Sequence, residues 1–377
     1  MRFGWGMTMV LAGASTASAQ VDPLAPLPVV TPVATPVPQV IIHRAPIYTI
    51  PAPASATSGG FSTYKSQLAD RARREGVREA TIQNVVPYLT LNSRVITLDR
   101  GQPGQVGNPN STPPFAPYRR EHVTSDLIRR GRIIFSSHYG QLSQIGATTG
   151  VDPSILVSIF GHETSYGTVT GGFDLLDALA TLAYEGRRRE LFESEFVAAI
   201  KLLDRGTPRS RLKGSWAGAT GYPQFMPSAV LRLARDGDGD GVANIWGSQA
   251  DGFASIAQYM KEAGWRPGVA WGIAVRVPYG FDRAAVRSLV AAPKCPRVYA
   301  RHSRWKSLAE WRALGVAPIN SSRGLGDSEP LSLLEPDGPN ATAYLLSHNY
   351  RVILDYNCSN FYALAVGLLA DAIARRG

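Results

Sequence analysis

Glu163 is the residue of this chain whose setting most clearly calls for chemistry. It follows Ile155 and Ile159 at i, i+4 and i+8, so its carboxylate continues an apolar stripe down a helix predicted over 153–163. Asp152 suits the N-cap of that helix, Pro153 its first position, and Gly167 offers a stop. A carboxyl on an apolar face is costly to ionise, so its pKa rises and it suits a general acid near neutral pH. The plain alternative is a buried Glu satisfied by a structural partner. His162-Glu163-Thr164-Ser165-Tyr166 begins like the H-E-x-x-H zinc pattern. Tyr166 stands where the second His is needed, and His162 points about 100° round the helix from Glu163. A zinc protease is excluded.

Two other segments carry chemical potential. In 213–228, Gly214, Gly218 and Gly221 let backbone approach closely, Ser215 and Gln224 offer hydrogen bonds, and Trp216, Tyr222 and Phe225 offer flat apolar faces. Sugars need that combination; a glycine-rich turn with its aromatics in the core is the alternative. Asp236, Asp238 and Asp240, followed by Gly241 and Val242, reproduce the first half of a calcium loop. Position 12 is Gly247, so Asp251 would close the coordination in a longer loop, with the Val242 carbonyl as a further ligand. An acidic turn without a metal is the alternative, and calcium here would be structural. Glycosidases generally use a second carboxylate. Asp174, Asp177, Glu185 and Glu190 follow Glu163, but nothing marks one as its partner.

Helical patterns over 64–75, 78–88, 125–140 and, with interruptions, 153–260 must position these groups. A Gly/Pro/Asn/Ser stretch over 101–117 predicts a long loop. Strands are expected at 271–277 and near 298–300, and a final helix over 361–375 presents Phe361, Leu364, Ala365, Leu368 and Leu369 on one side. Residues 20–60 are crowded with Pro and Ala and predict an extended, disordered tether. Before them, Met1-Arg2, a short apolar run and Ala17-Ser18-Ala19 predict a secretory signal over 1–19. No Cys lies near the cleavage point, which excludes a lipid anchor there, and no internal run is long enough to span a bilayer. The expectation is a soluble, exported, periplasmic protein without stable membrane insertion. In that compartment Cys295 and Cys358 either pair, stabilising by roughly 4 kcal/mol, or remain free thiols. The net charge of +10 does not point to nucleic acid, because no basic-aromatic platform exists. Arg187-Arg188-Arg189 is the densest basic run, and a carboxylate-bearing polymer outside the cytoplasm is the more natural partner.

Taken together, Gly161-His162-Glu163-Thr164-Ser165-Tyr166-Gly167, the segment ending in Gln224-Phe225-Met226-Pro227-Ser228, the Asp-Gly run reaching Trp246, and Tyr356-Asn357-Cys358-Ser359-Asn360-Phe361-Tyr362 resemble the lytic murein transglycosylases of the membrane-bound-B type, a branch of the lysozyme-like superfamily. The resemblance runs from residue 61 to the C-terminus. It implies a mainly α fold: a helical flank (61–145), a lysozyme-like catalytic core with the calcium loop (146–265), a small β-containing insertion (266–349), then a closing motif and C-terminal helix (350–377). It also implies cleavage of the β-1,4 bond between N-acetylmuramic acid and N-acetylglucosamine in the glycan strands of peptidoglycan. Glu163 would act alone as acid and base, giving a 1,6-anhydromuramoyl end without water or catalytic cofactor. By the same resemblance Ser215, Gln224, Tyr356, Asn357 and Tyr362 match groove residues. Arg187 and Arg188 match basic residues placed to meet substrate carboxylates or sugar oxygens. Asp236, Asp238, Asp240, Val242 and Asp251 match a structural calcium loop. A hydrolytic muramidase on the same fold and a catalytically weak wall-binding scaffold that recruits assembly partners are the competing readings.

Overall fold

The computed structural model describes residues 58–102, 114–288, 294–319 and 324–375. The predicted signal and nearly all of the predicted tether lie outside the described residues, as do residues 103–113 of the predicted loop. The ends of those two segments differ from expectation: residues 58–60 open the first helix, and a helix begins at Phe115 inside the predicted loop.

The flank comprises α1 (Ser58–Arg74), α2 (Glu79–Val85), α3 (Ser93–Arg100) and α4 (Phe115–His122). The helix predicted over 78–88 ends early, its last three residues forming a 3-10 turn at Val86–Tyr88. Pro87 lacks an N–H and so cannot continue the helix's hydrogen bonding, which accounts for the change. The flank continues with α5 (Ser125–Ser137) and most of α6 (Tyr139–Thr149), and the core follows with α7 (Pro153–Thr164), β1 (Phe173–Asp174), α8 (Leu175–Glu185), α9 (Arg189–Asp204), β2 (Lys213–Gly214), α10 (Pro227–Leu233) and α11 (Gln249–Glu262). The single run expected over 125–140 is two helices. His138 leaves helical geometry (φ −111°, ψ 20°), beside a Ser137 hydroxyl that donates to the Ile134 carbonyl at 3.1 Å.

The flank docks on the core through polar contacts. Tyr64 and Arg71 of α1 bond Glu193 of α9, and Arg71 also takes Glu190 at 2.7 Å. Arg100 holds Glu185 with two bonds of 2.7 and 3.0 Å. These charge-assisted contacts come with buried Phe61, Leu68 and Ala72 along α1, so the docking face is apolar at its centre.

The insertion contains β3 (Gly272–Arg276), α12 (Pro296–Tyr299), β4 (Lys306–Ser307), α13 (Leu308–Ala313), β5 (Ala317–Pro318), β6 (Pro330–Leu334) and β7 (Ala343–Leu346), with sheet order β4-β6-β7-β3-β5. All pairings are antiparallel, and Ile273 lies opposite Leu345, Ala274 opposite Tyr344. Period-2 alternation divides the faces. Ile273, Val275, Leu333 and Leu345 pack on Trp311 of α13 in a separate small core. Leu334, Tyr344 and Leu346 join the main core. The strand expected near 298–300 is instead α12. Pro296 at its first turn pre-sets helical φ and outweighs the β-branched Val298.

The chain closes with α14 (His348–Tyr356) and α15 (Asn360–Ala374). Cys295 and Cys358 are joined, with Cα atoms 5.9 Å apart, tying α12 of the insertion to the turn between these helices. No single helix among the described residues is long and apolar enough to cross a membrane. The disulfide closes a loop of 63-residue separation. Loop entropy then predicts that Cys358→Ser lowers unfolding free energy by roughly 4 kcal/mol in denaturant titration. An unchanged denaturation midpoint would show that the crosslink leaves stability untouched.

Candidate active site

Glu163 occupies the last turn of α7. Asp152 caps the helix by accepting from the Ser154 N–H at 2.8 Å. Every residue from Ser154 to Thr164 is buried, so the helix is enclosed on all sides and not merely along the expected stripe. The stop also differs from expectation, because Ser165 and Tyr166 already adopt positive φ (49° and 58°) before Gly167. Non-glycine residues in that region carry strain, and the surroundings hold them. Arg130 bonds both the carbonyl and the hydroxyl of Ser165. Tyr166 folds back against the helix, where a Cβ on Gly161 would lie 2.7 Å from its ring. Only glycine fits at 161.

Two hydrogen bonds set the relation of α15 to α7. The Ser158 hydroxyl donates to the Val366 carbonyl at 2.7 Å, and the Tyr362 hydroxyl donates to Glu163 Oε1 at 2.6 Å. The helices therefore run in opposite directions. Tyr362 is positioned by the N-cap Ser359, whose hydroxyl accepts from the Tyr362 N–H. Glu163 is 4% exposed, and burial pushes its carboxyl up to about 8, opposed by the Tyr362 bond, which favours the ionised form. His162 is also buried and stays neutral, since desolvation pulls its imidazole down to about 3.

The remaining predicted groove residues distribute unequally. Tyr356 ends α14 near enough to Glu163 to sense its charge, and its hydroxyl donates to the Pro223 carbonyl at 2.5 Å. That bond joins the closing motif to the glycine-aromatic segment. Gln224, at φ 50°, donates from Nε2 to the carbonyls of Gly221 (2.8 Å) and Thr170 (3.2 Å). Asn357 is 4% exposed and its Nδ2 has no hydrogen-bond partner among the described residues. Ser215 is 1% exposed and its hydroxyl oxygen accepts from the Ala219 N–H, serving the turn. Trp216 and Phe225 lie in the core, as the plain alternative for this segment holds. A Cβ on Gly214 would fall 2.0 Å from the Ala219 carbonyl oxygen, which is why backbone crosses so tightly there.

Arg187 and Arg188 converge on Asp99 of α3, which is 1% exposed. Arg188 bonds Asp99 Oδ1 at 2.8 Å and lies over the Phe192 ring, while Arg187 bonds the Asp99 carbonyl. Their donors thus secure the flank. Sequence reading had no signal for Asp99, because the pairing spans 88 and 89 positions. The four carboxylates that followed Glu163 in the sequence are likewise engaged. Asp174 caps α8 and pairs with Arg209, Asp177 accepts from Thr90, Glu185 pairs with Arg100, and Glu190 with Arg71.

The carboxylates of Asp236, Asp238 and Asp251 converge, their nearest ligand atoms within 4.8 Å of one another. Asp251 is fully buried in the first turn of α11 and accepts from the Gly237 and Asn244 N–H groups at 2.7 and 2.6 Å, clasping both ends of the loop. Backbone N–H groups of Gly241 and Gly239 hold the Asp236 carboxyl below its ordinary value. Asp240 instead accepts from the Val242 N–H at 2.7 Å, outside that converging group, and the Val242 residue is exposed. Three convergent hard oxygens fit a calcium ion.

A mainly α fold around the enclosed Glu163 is that of the lysozyme-like lytic transglycosylases. The model described as the Transglycosylase SLT domain matches residues 60–371, and the chain belongs to that family. It is 32% identical over 301 residues, 78% of each chain, to the membrane-bound lytic murein transglycosylase B of Escherichia coli (strain K12). Among solved structures it is similar to SltB3 from Pseudomonas aeruginosa in complex with NAG-anhNAM-pentapeptide: TM-score 0.73, 36% identity, 83% of this chain and 79% of that chain. It is also similar to the Escherichia coli lytic transglycosylase SLT35 in complex with calcium: TM-score 0.66, 29% identity, 82% of this chain and 92% of that chain.

The Tyr362 bond predicts a shift of known sign. It favours the ionised carboxylate, so Tyr362→Phe raises the Glu163 pKa further, and the alkaline limb of the pH–rate profile moves to higher pH. For stability, a value raised to about 8 means that the protonated carboxyl favours the fold below the ordinary Glu value, an advantage lost as pH rises towards 8. The Tm advantage of Glu163→Gln over the wild type should therefore grow between pH 5 and 8.

Proposed function

We propose that this chain cleaves the β-1,4 bond between N-acetylmuramic acid and N-acetylglucosamine in peptidoglycan without consuming water, with Glu163 as its only acid and base. The observation that carries this reading is the enclosed Glu163 carboxyl, raised to about 8 and bonded only by Tyr362, while every carboxylate considered as its partner is engaged elsewhere. Protonated at neutral pH, Glu163 gives its proton to the leaving glycosidic oxygen as the bond to C1 breaks. The resulting carboxylate accepts the proton of the muramoyl C6 hydroxyl as that oxygen bonds C1. The proton inventory closes, and the product is a 1,6-anhydromuramoyl end. The Tyr362 hydroxyl steadies the carboxylate between the two transfers. Gln224, Tyr356 and Asn357 border the sugar path, with Ser215 supporting the turn behind it and Arg187 and Arg188 anchoring the flank that walls it.

Asp236, Asp238 and Asp251 would hold a structural calcium, with Asp240 and Val242 completing the loop. The ion would neutralise three converging carboxylates and pin the loop preceding α11. We also propose export with removal of residues 1–19, which fits a substrate outside the cytoplasm. The chain then reads as flank (61–145), core (146–265), insertion (266–349) and closing segment (350–377).

Digestion of purified sacculi followed by mass spectrometry should give anhydromuramoyl ends; ends carrying an added water would identify a muramidase instead. Glu163→Gln should lose about 10²–10⁴-fold in rate, and undiminished turnover would show that Glu163 is not the acid and base. Chelator should lower the Tm of the wild type, calcium should restore it, and Asp238→Ala should abolish the difference.

A further inference from the structure

Arg351 is held in an aromatic clamp with its donors unused. Its guanidinium lies 4.3 Å from the Tyr299 ring centroid and 4.4 Å from that of Trp305. Among the described residues it has no hydrogen bond and no ion pair, and its Nε is buried without a partner. A guanidinium offers five N–H donors in a planar fork, and leaving the buried Nε–H unmet is costly. Burial lowers its pKa, while Tyr299 and Asp355 act only at a distance. Asp355 stands four residues along α14 but makes no ion pair with it. This contrasts with Arg187 and Arg188, which are both occupied by Asp99.

The clamp is built and rigid. The Cys295–Cys358 bond ties α12, which carries Tyr299, to the end of α14. Asn360 Nδ2 donates to the Val298 carbonyl at 3.1 Å, and His302 Nε2 lies 2.8 Å from Asn360 Oδ1. Trp305 directly precedes β4, paired to β6, and remains 37% exposed. The same helix leads to the reaction centre: Tyr356 is five residues on, about 7.5 Å along the axis, and its charge environment includes Glu163.

We propose that Arg351, clamped by Tyr299 and Trp305, binds a carboxylate of the peptide attached to the glycan strand, making a peptide subsite on the insertion side of the groove. This rests on the reaction proposed above. The two ring contacts steady the guanidinium, whose terminal nitrogens suit bidentate pairing with a carboxylate. The relative SltB3 was solved with a pentapeptide-bearing ligand of that chemical class.

The test compares full-length protein on three substrates: muropeptide with free peptide carboxylates, the same muropeptide with those carboxylates amidated, and peptide-free glycan. The wild type should prefer the free over the amidated form by about tenfold in kcat/KM, mostly through KM. Arg351→Gln should bring that ratio near one, and Arg351→Lys should keep only part of it, because a point charge lacks the fork. A wild type that takes both forms equally overturns the proposal, as does an Arg351→Gln that loses the same factor on both. A loss confined to peptide-free glycan, where the muramoyl lactyl carboxylate is exposed, overturns the peptide assignment. Failure of the wild type to cleave any substrate is a failure of the proposed reaction alone. Calorimetric binding of free and amidated muropeptide then makes the same comparison without turnover.

Discussion

Everything in this molecule that bears on chemistry depends on keeping the Glu163 carboxyl out of water while giving it one hydrogen bond. An ionised carboxylate enclosed on all sides carries a desolvation cost that a single phenol bond does not cancel, and the balance leaves the group protonated near neutrality. Two features of α7 maintain that enclosure. Its burial is complete from Ser154 to Thr164, and its end is folded under by three consecutive residues of positive φ. The bond from Ser158 to α15 sets the pairing that brings Tyr362 opposite Glu163.

The rest of the charge is arranged so that it does not interfere. The flank is fastened to the core by arginine–carboxylate contacts, two of which engage Glu185 and Glu190. Asp99, almost fully buried, takes two arginines at once, so removing the aspartate would leave two guanidiniums without their carboxylate. Two arginines of the basic run thereby fasten α3 to the segment leading into α9. Arg351 in α14 has no carboxylate partner among the described residues and lies against two rings of the insertion.

The insertion does more than decorate the core. One face of its sheet completes the main core through Leu334, Tyr344 and Leu346, and the other closes on Trp311. Its connection to the closing turn runs through the disulfide and through Asn360, so the segment carrying Tyr356 and Asn357 is held from the side opposite the glycine-aromatic turn. The proposed site therefore draws on α7, the glycine-aromatic turn and the helices at the end of the chain together.

Local rules made much of this legible. Asp152-Pro153 marks the start of α7, alternation marks β3, and the Asp-Gly spacing marks a tight acidic loop, because caps, pleats and turns are decided by residues within a few positions of one another. Where the sequence misled, a competing local effect won: Pro87 shortened a helix and Pro296 turned an expected strand into α12. The long-range facts were of another kind. That Tyr362 meets Glu163 across 199 positions, that Arg187 and Arg188 face Asp99, and that Cys295 reaches Cys358 depend on how whole helices pack. The sequence alone determined that Glu163 sits at the end of a capped helix on an apolar face. Tertiary packing decided that this face is sealed, which phenol meets the carboxyl, and which carboxylate takes Arg187 and Arg188, since desolvation and pairing energies exist only once distant elements are brought into contact.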